Sequence, residues 1–213
     1  MSTAQGPGDP LTAPVTARVS NFNIANQLTI LRLVLVPVFA FALLWDGGDS
    51  RPWRVGACVV FAIASWTDRI DGQIARSRGL VTSFGKLADP IADKALIGTA
   101  LIGLSLLGLL PWWVTAIVVV REAGVTLLRF WVIRHGVIPA SRGGKLKTLL
   151  QGLAIGFYLL PLSGWAATGR AWVMALAVAV TVVTGIDYIA RAVTLRRTSD
   201  RAAMKRARKA AQG

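Results

Sequence analysis

The chain has 213 residues, 54% of them hydrophobic, and a formal net charge of +14. A composition this apolar, laid out in long runs, excludes an ordinary soluble domain and reads as one compact membrane domain. The positive charge does not indicate nucleic acid. Lys and Arg gather at the ends of apolar runs, where membrane orientation and anionic head groups account for them. Cys58, the only cysteine, lies inside an apolar run, which excludes a disulfide framework and a thiolate metal site.

In chain order, residues 1–19 are rich in Thr, Ala, Gly and Pro and read as a disordered tail. No signal peptide is expected, because the first long apolar run begins near Leu28 with no small-residue cleavage site behind it. Residues 21–27 read as an N-terminal interfacial segment, followed by a first span over 28–45. Arg32 lies one turn inside that span, either snorkelling to the interface or serving a structural or substrate role. After a turn-rich loop at 46–52, a second helix over 53–75 carries Asp68 and Asp71 at its far end. Ser83 is placed to cap the third helix, which runs to about Leu110, while Pro90 disfavours or kinks helix at Asp89.

The fourth span, 113–133, contains Arg121, Glu122 and Arg129, with Glu122, Thr126 and Arg129 on one face. Charges inside a span turn to the bundle interior, here as functional groups or as an ion pair between helices. Residues 134–148 read as a long polar connection, with Arg142, Lys145 and Lys147 around Gly143 and Gly144. Flexible glycines beside convergent cations suit a phosphate-bearing ligand, and a generic positive-inside loop would carry the same charges. The fifth and sixth spans fall at 149–167 and 171–189. In the sixth, Ala171, Ala175 and Ala179 give a packing signal, and Asp187 is placed to pair with Arg191. Residues 20–195 thus form a six-helix membrane domain, and 196–213 a basic cytoplasmic tail near anionic lipid. With both termini cytoplasmic, the outward loops and adjoining helix starts hold only Arg51, Arg54 and Arg170 of 24 Lys and Arg. The acidic stretch and the Gly-Lys connection then share the cytoplasmic side.

That acidic stretch, residues 68–94, organises the rest. It holds Asp68, Asp71, Asp89 and Asp93, four of the ten acidic residues, between strongly apolar segments. Carboxylates so placed are costly to ionise unless something positive sits between them. Asp68 and Asp71 share a helix face, as do Asp89 and Asp93, and two such pairs make an oxygen cage for Mg²⁺ or Mn²⁺. Gly72 and Ala75 leave room beside it for a flat or bulky ligand, and Arg76 is placed to grip phosphate oxygens. The competing reading is a solvated membrane-edge face paired with Arg69, Arg76, Arg78 and Lys86.

The pattern D-x2-D-G-x2-A-R-x8-G-x3-D-x3-D, filled by Asp68, Asp71, Gly72, Ala75, Arg76, Gly85, Asp89 and Asp93, resembles the signature of the CDP-alcohol phosphatidyltransferases. Asn26, Leu28, Thr29 and Arg32 resemble the N-x-L-T-x2-R motif at the start of many members. The stretch from Arg121 to Gln151 looks like that of bacterial members whose acceptor is glycerol 3-phosphate.

The resemblance implies an all-α integral membrane protein of the cell membrane and a homodimer. It implies transfer of the phosphatidyl group of CDP-diacylglycerol to sn-glycerol 3-phosphate, with release of CMP. Asp68, Asp71 and Asp89 would hold the metals, while Asp93 completes the site and takes the acceptor's proton. Gly72, Ala75 and Arg76 would bound the CDP moiety, and Arg129, Arg142, Lys145 and Lys147 the acceptor phosphate. A phosphatidylinositol-phosphate synthase would need a similar acceptor site. A cardiolipin synthase would be expected to carry Arg in place of Lys94 and no Gly-Lys-x-Lys-Thr run. A cation-coupled transporter fits the topology but has no use for Gly72, Ala75 and Arg76 beside the acids.

Overall fold

The computed structural model describes residues 24–77, 83–132 and 142–210. Side chains at 24–25, 69–77, 83–87, 132, 142, 197 and 199–210 lie outside the description. The expected tail at 1–19 and the start of the interfacial segment also fall outside it.

The described residues form six α-helices and no strand: α1 (Ile24–Leu44), α2 (Arg51–Ser77), α3 (Ser83–Leu106), α4 (Trp112–Val132), α5 (Arg142–Leu159) and α6 (Trp165–Ala210). Apolar runs of this length satisfy every backbone group within the segment only as helices. Packing between neighbours closes a ring in the order α1, α2, α5, α6, α4, α3, with α3 also touching α5 across the middle. Successive helices alternate in direction. One end of the ring therefore collects the start of α1, the end of α2, the starts of α3 and α5, the end of α4 and the later turns of α6. This is called here the acid end, and the other the turn end.

The turn end is tied by short-range devices. A 3-10 turn at Trp45–Gly48 follows α1, and Asp46, Gly47 and Gly48 all have positive φ. Phe41, Trp45 and Trp53 stack with ring centroids 5.0–5.8 Å apart. Arg54 of α2 donates to the carbonyls of Tyr158 (2.8 Å) and Leu160 (3.2 Å), capping α5 where its last carbonyls lack helical partners. Arg170 lies over the Tyr158 ring at 4.9 Å. Between α3 and α4, buried Ser105 and Thr115 hydroxyls meet at 2.7 Å.

Three expectations change. α3 runs through Pro90 without ending at Asp89. Buried Ala88 and Ala92 hold its flanks in the bundle, and proline is tolerated where packing compensates for the lost N–H. α5 begins at Arg142, so Gly143, Gly144, Lys145 and Lys147 lie on its first turns, not in a flexible loop. The glycine penalty of about 1 kcal/mol per residue is outweighed by packing of the turns that follow. α6 continues unbroken to Ala210, about 69 Å at 1.5 Å per residue, so the basic tail extends the last helix.

Alanines and small side chains bring the helices together: Ala57, Ala64, Ala92, Ala100, Ala154 and Ala177 are all buried. Adding a Cβ at Gly103 would put it 2.7 Å from Leu43 Cδ2, so α1 and α3 approach closely there and the leucine would have to shift. Large apolar side chains point outward from every helix, among them Val34, Trp66, Ile102, Val120, Leu153 and Val183. Ala171, Ala175 and Ala179 are also exposed, so this face of α6 is not used for packing among the described residues. Asn26–Gly48 and Trp165–Arg196 are long and apolar enough to cross a membrane. The other four helices carry charges or paired glycines within their lengths.

Candidate active site

Two polar clusters are built at the acid end. The first hangs from α1. Asn26, Thr29 and Arg32 recur at three-residue spacing on its inward face and are 2%, 1% and 0% exposed. Arg32 Nη1 pairs with Asp68 Oδ1 of α2 at 2.6 Å. Thr29 Oγ1 donates to Asp89 Oδ1 of α3 at 2.6 Å. One helix therefore fixes a carboxylate on each of its two neighbours. Arg32 does not snorkel; it is fully buried and paired with Asp68. The Asp68 side chain stays 39% exposed, so its carboxylate is held from behind and open in front.

The second cluster joins α4, α5 and α6. Glu122 sits about ten residues from either end of α4, and its Oε1 accepts from Arg121 Nη1 at 2.9 Å and from Lys147 Nζ of α5. Arg121 Nη2 donates to Thr184 Oγ1 of α6 at 3.1 Å. Gly185 gives this side chain room, since a Cβ there would stand 3.1 Å from Arg121 Cγ. The clusters meet at Asp93, which lies within electrostatic reach of Asp68, Lys147, Lys94 and Glu122.

The expected site residues divide accordingly. Asp68, Asp89 and Asp93 come to one end, on α2 and α3. Asp71, Gly72, Ala75 and Arg76 continue α2 there, with side chains outside the description, as is Gly85. Lys147 is buried against Glu122, whereas Lys145 and Arg129 are exposed, without an ion-pair partner among the described residues, and the Arg142 side chain lies outside the description. Thr29 lies in the N-x-L-T-x2-R motif, which does not reveal Asp89 as its partner, and nothing local in the sequence marks Thr184 or Gly185 as neighbours of Arg121. Gln151, one turn after Lys147, is buried as well.

Carboxylate oxygens are the hard donors that Mg²⁺ and Mn²⁺ take, and the partners from α1 match the outer hydrogen bonds that orient metal ligands. Asp68 and Asp89 each engage α1 through Oδ1, so the donor set fits a divalent cation. Among the described residues no three His, Cys, Asp or Glu side chains stand close enough to hold an ion together, and Asp71 is not among those described.

The sequence model of the CDP-alcohol phosphatidyltransferases matches residues 22–183. The chain belongs to this family. A Mycobacterium tuberculosis relative named probable phosphatidylglycerophosphate synthase is 57% identical over 183 residues, covering 86% of this chain and 88% of its own. A Bacillus subtilis relative named CDP-diacylglycerol–glycerol-3-phosphate 3-phosphatidyltransferase is 38% identical, covering 80% and 95%. A Streptomyces coelicolor relative named cardiolipin synthase (CMP-forming) is 33% identical, covering 80% and 79%. The family match spans both clusters up to Val183, and Thr184 and Gly185 lie just beyond it.

Proposed function

We propose that the chain transfers the phosphatidyl group of CDP-diacylglycerol to sn-glycerol 3-phosphate, giving phosphatidylglycerophosphate and CMP. The observation that carries this reading is a pair of clusters with opposite charge surplus, both reaching Asp93. Among the described residues, Asp68 pairs with Arg32 and Asp89 has only the Thr29 hydroxyl, while Arg121 and Lys147 share one carboxylate, Glu122, and Asp93 lies within reach of both clusters. Buried surplus charge is costly unless a ligand balances it. The first cluster calls for cations and the second for an anion, as a metal-dependent transferase with a phosphorylated acceptor requires. The names of the Mycobacterium and Bacillus relatives agree with it.

Divalent ions bound by Asp68, Asp71 and Asp89 would offset pyrophosphate charge and make CMP a better leaving group. Gly72, Ala75 and Arg76 bound the CDP moiety. Lys147, with Arg129, Arg142 and Lys145 nearer the mouth, takes the acceptor phosphate. Asp93 accepts the proton of the acceptor's hydroxyl as its oxygen bonds to the lipid-side phosphorus and the bond to CMP breaks. Apolar side chains facing outward on all six helices support a six-span protein of the cell membrane. The concentration of Lys and Arg at the acid end supports a cytoplasmic active site and cytoplasmic termini. A homodimer completes the proposal.

Purified protein with labelled CDP-diacylglycerol, Mg²⁺ or Mn²⁺ and a panel of acceptors tests it. sn-Glycerol 3-phosphate should be the preferred acceptor, with transfer lost on chelation. Preference for inositol phosphate, or for phosphatidylglycerol as in a cardiolipin synthase, would overturn the acceptor assignment.

A further inference from the structure

Gln151 of α5 is 3% exposed, and neither its Oε1 nor its Nε2 has a hydrogen-bond partner among the described residues. Buried polar groups are paired in the great majority of cases, so a primary amide left with all its capacity open points to a ligand. Its place says which one. Gln151 follows Lys147 by four residues on the same face of α5, about 6 Å further towards the turn end. Lys147 is joined to Glu122, and the charges of both reach Asp93. α5 also packs on α3, the helix that carries Asp89 and Asp93.

We infer that Gln151 is a specificity-determining residue that reads the second hydroxyl of a polyol phosphate acceptor, an assignment that rests on the function proposed above. Of the two hydroxyls of glycerol 3-phosphate, the primary one at C1 attacks and loses its proton to Asp93. The secondary one at C2 is recognised: it donates to Gln151 Oε1 and accepts from Nε2–H, while the phosphate lies towards Lys147. A hydroxyl is both donor and acceptor, and among neutral side chains the amide offers both complements from one planar group. Sites that hydrogen-bond a substrate hydroxyl reject analogues lacking it far better than apolar pockets reject an added group.

The test assays full-length protein in detergent micelles with CDP-diacylglycerol and Mg²⁺ on two acceptors. These are sn-glycerol 3-phosphate and 3-hydroxypropyl phosphate, which keeps the phosphate and the primary hydroxyl but lacks the secondary one. The parent should favour glycerol phosphate by about 10- to 100-fold in kcat/KM, the range for losing both hydrogen bonds to the amide. Gln151→Met, similar in volume but unable to pair with a hydroxyl, should shrink that preference to about threefold or less. The KM for CDP-diacylglycerol should stay unchanged. Equal losses on both acceptors would mark a packing role and overturn the assignment. So would a variant that discriminates as well as the parent. A parent with no preference between the two acceptors overturns it without any variant, which covers the case that Gln151→Met does not fold. If the parent turns over neither acceptor but uses another, the proposed function itself fails and the inference with it. If it uses glycerol phosphate and only the discrimination result is wrong, the fault lies with Gln151 alone.

Discussion

The two clusters at the acid end solve the same problem in opposite ways. Around α1, acids outnumber the buried cation among the described residues, and each of Asp68 and Asp89 is gripped by one atom from one side. Between α4, α5 and α6, cations outnumber the acid among the described residues, and a single oxygen of Glu122 takes both Arg121 and Lys147. The first is held from behind and open in front, fit for exchangeable ligands. The second is cross-linked over three helices, with Arg121 further pinned to Thr184, and keeps a positive surplus among the described residues. The difference teaches that fixed charge in an apolar bundle is tolerated in proportion to how completely it is balanced. Each imbalance then states the sign of the ligand it awaits.

The sharpest way to break the comparison is to remove the negative surplus. Asp68→Asn, Asp71→Asn and Asp89→Asn should each lower transfer by at least about a thousandfold while the protein still inserts and remains monodisperse, since amides keep shape but lose metal charge. Near-normal turnover in any two of them would mean that the acid cluster holds no metal. Asp93→Asn should be comparably inactive yet still bind CDP, if its part is the proton.

Next comes the positive surplus. Lys147→Ala should raise the apparent KM for sn-glycerol 3-phosphate by about a hundredfold and leave that for CDP-diacylglycerol little changed. Lys145→Ala and Arg129→Ala, at exposed positions, should shift it by about tenfold or less. Steady-state kinetics with each substrate varied in turn measures both. Shifts confined to the CDP-diacylglycerol term would assign these cations to the other substrate.

Arg32→Met asks whether the first cluster is oriented from behind. Losing a partner of this kind weakens metal binding by about 10- to 100-fold, so activity should return as Mg²⁺ or Mn²⁺ is raised, whereas Asp68→Asn should not recover. A metal requirement identical to the parent's would reduce the Arg32–Asp68 pair to a helix tie. The smallest effect is expected from Gly185→Ala, whose new methyl presses on Arg121. A loss of about 1 kcal/mol should appear as a thermal midpoint lowered by a few degrees, with the first cluster's metal requirement unchanged.

Much of this was legible in the chain itself. The spacing of Asp68, Asp71, Asp89 and Asp93, the approximate extents of α1 to α4, and the Asp187–Arg191 pair at 2.9 Å depend on neighbours within a few turns, where sequence and geometry are the same information. The gathering of the acids and of Lys147 at one end also followed, because spans that alternate in direction return every second connection to the same side. Helix limits near Gly143 and beyond Ile189 did not follow. There, propensity and charge argue for a loop or a tail, and neighbouring turns decide otherwise. Tertiary structure alone chose the partners. Thr29 meets Asp89 across 60 residues and Arg121 meets Thr184 across 63, and no periodicity reaches that far. It alone buried Lys147 and left Lys145 exposed, though both are lysines of one helical turn. On a helix, two positions of rotation turn a side chain from the bundle interior to its surface, and only the neighbouring helices determine which direction is inside.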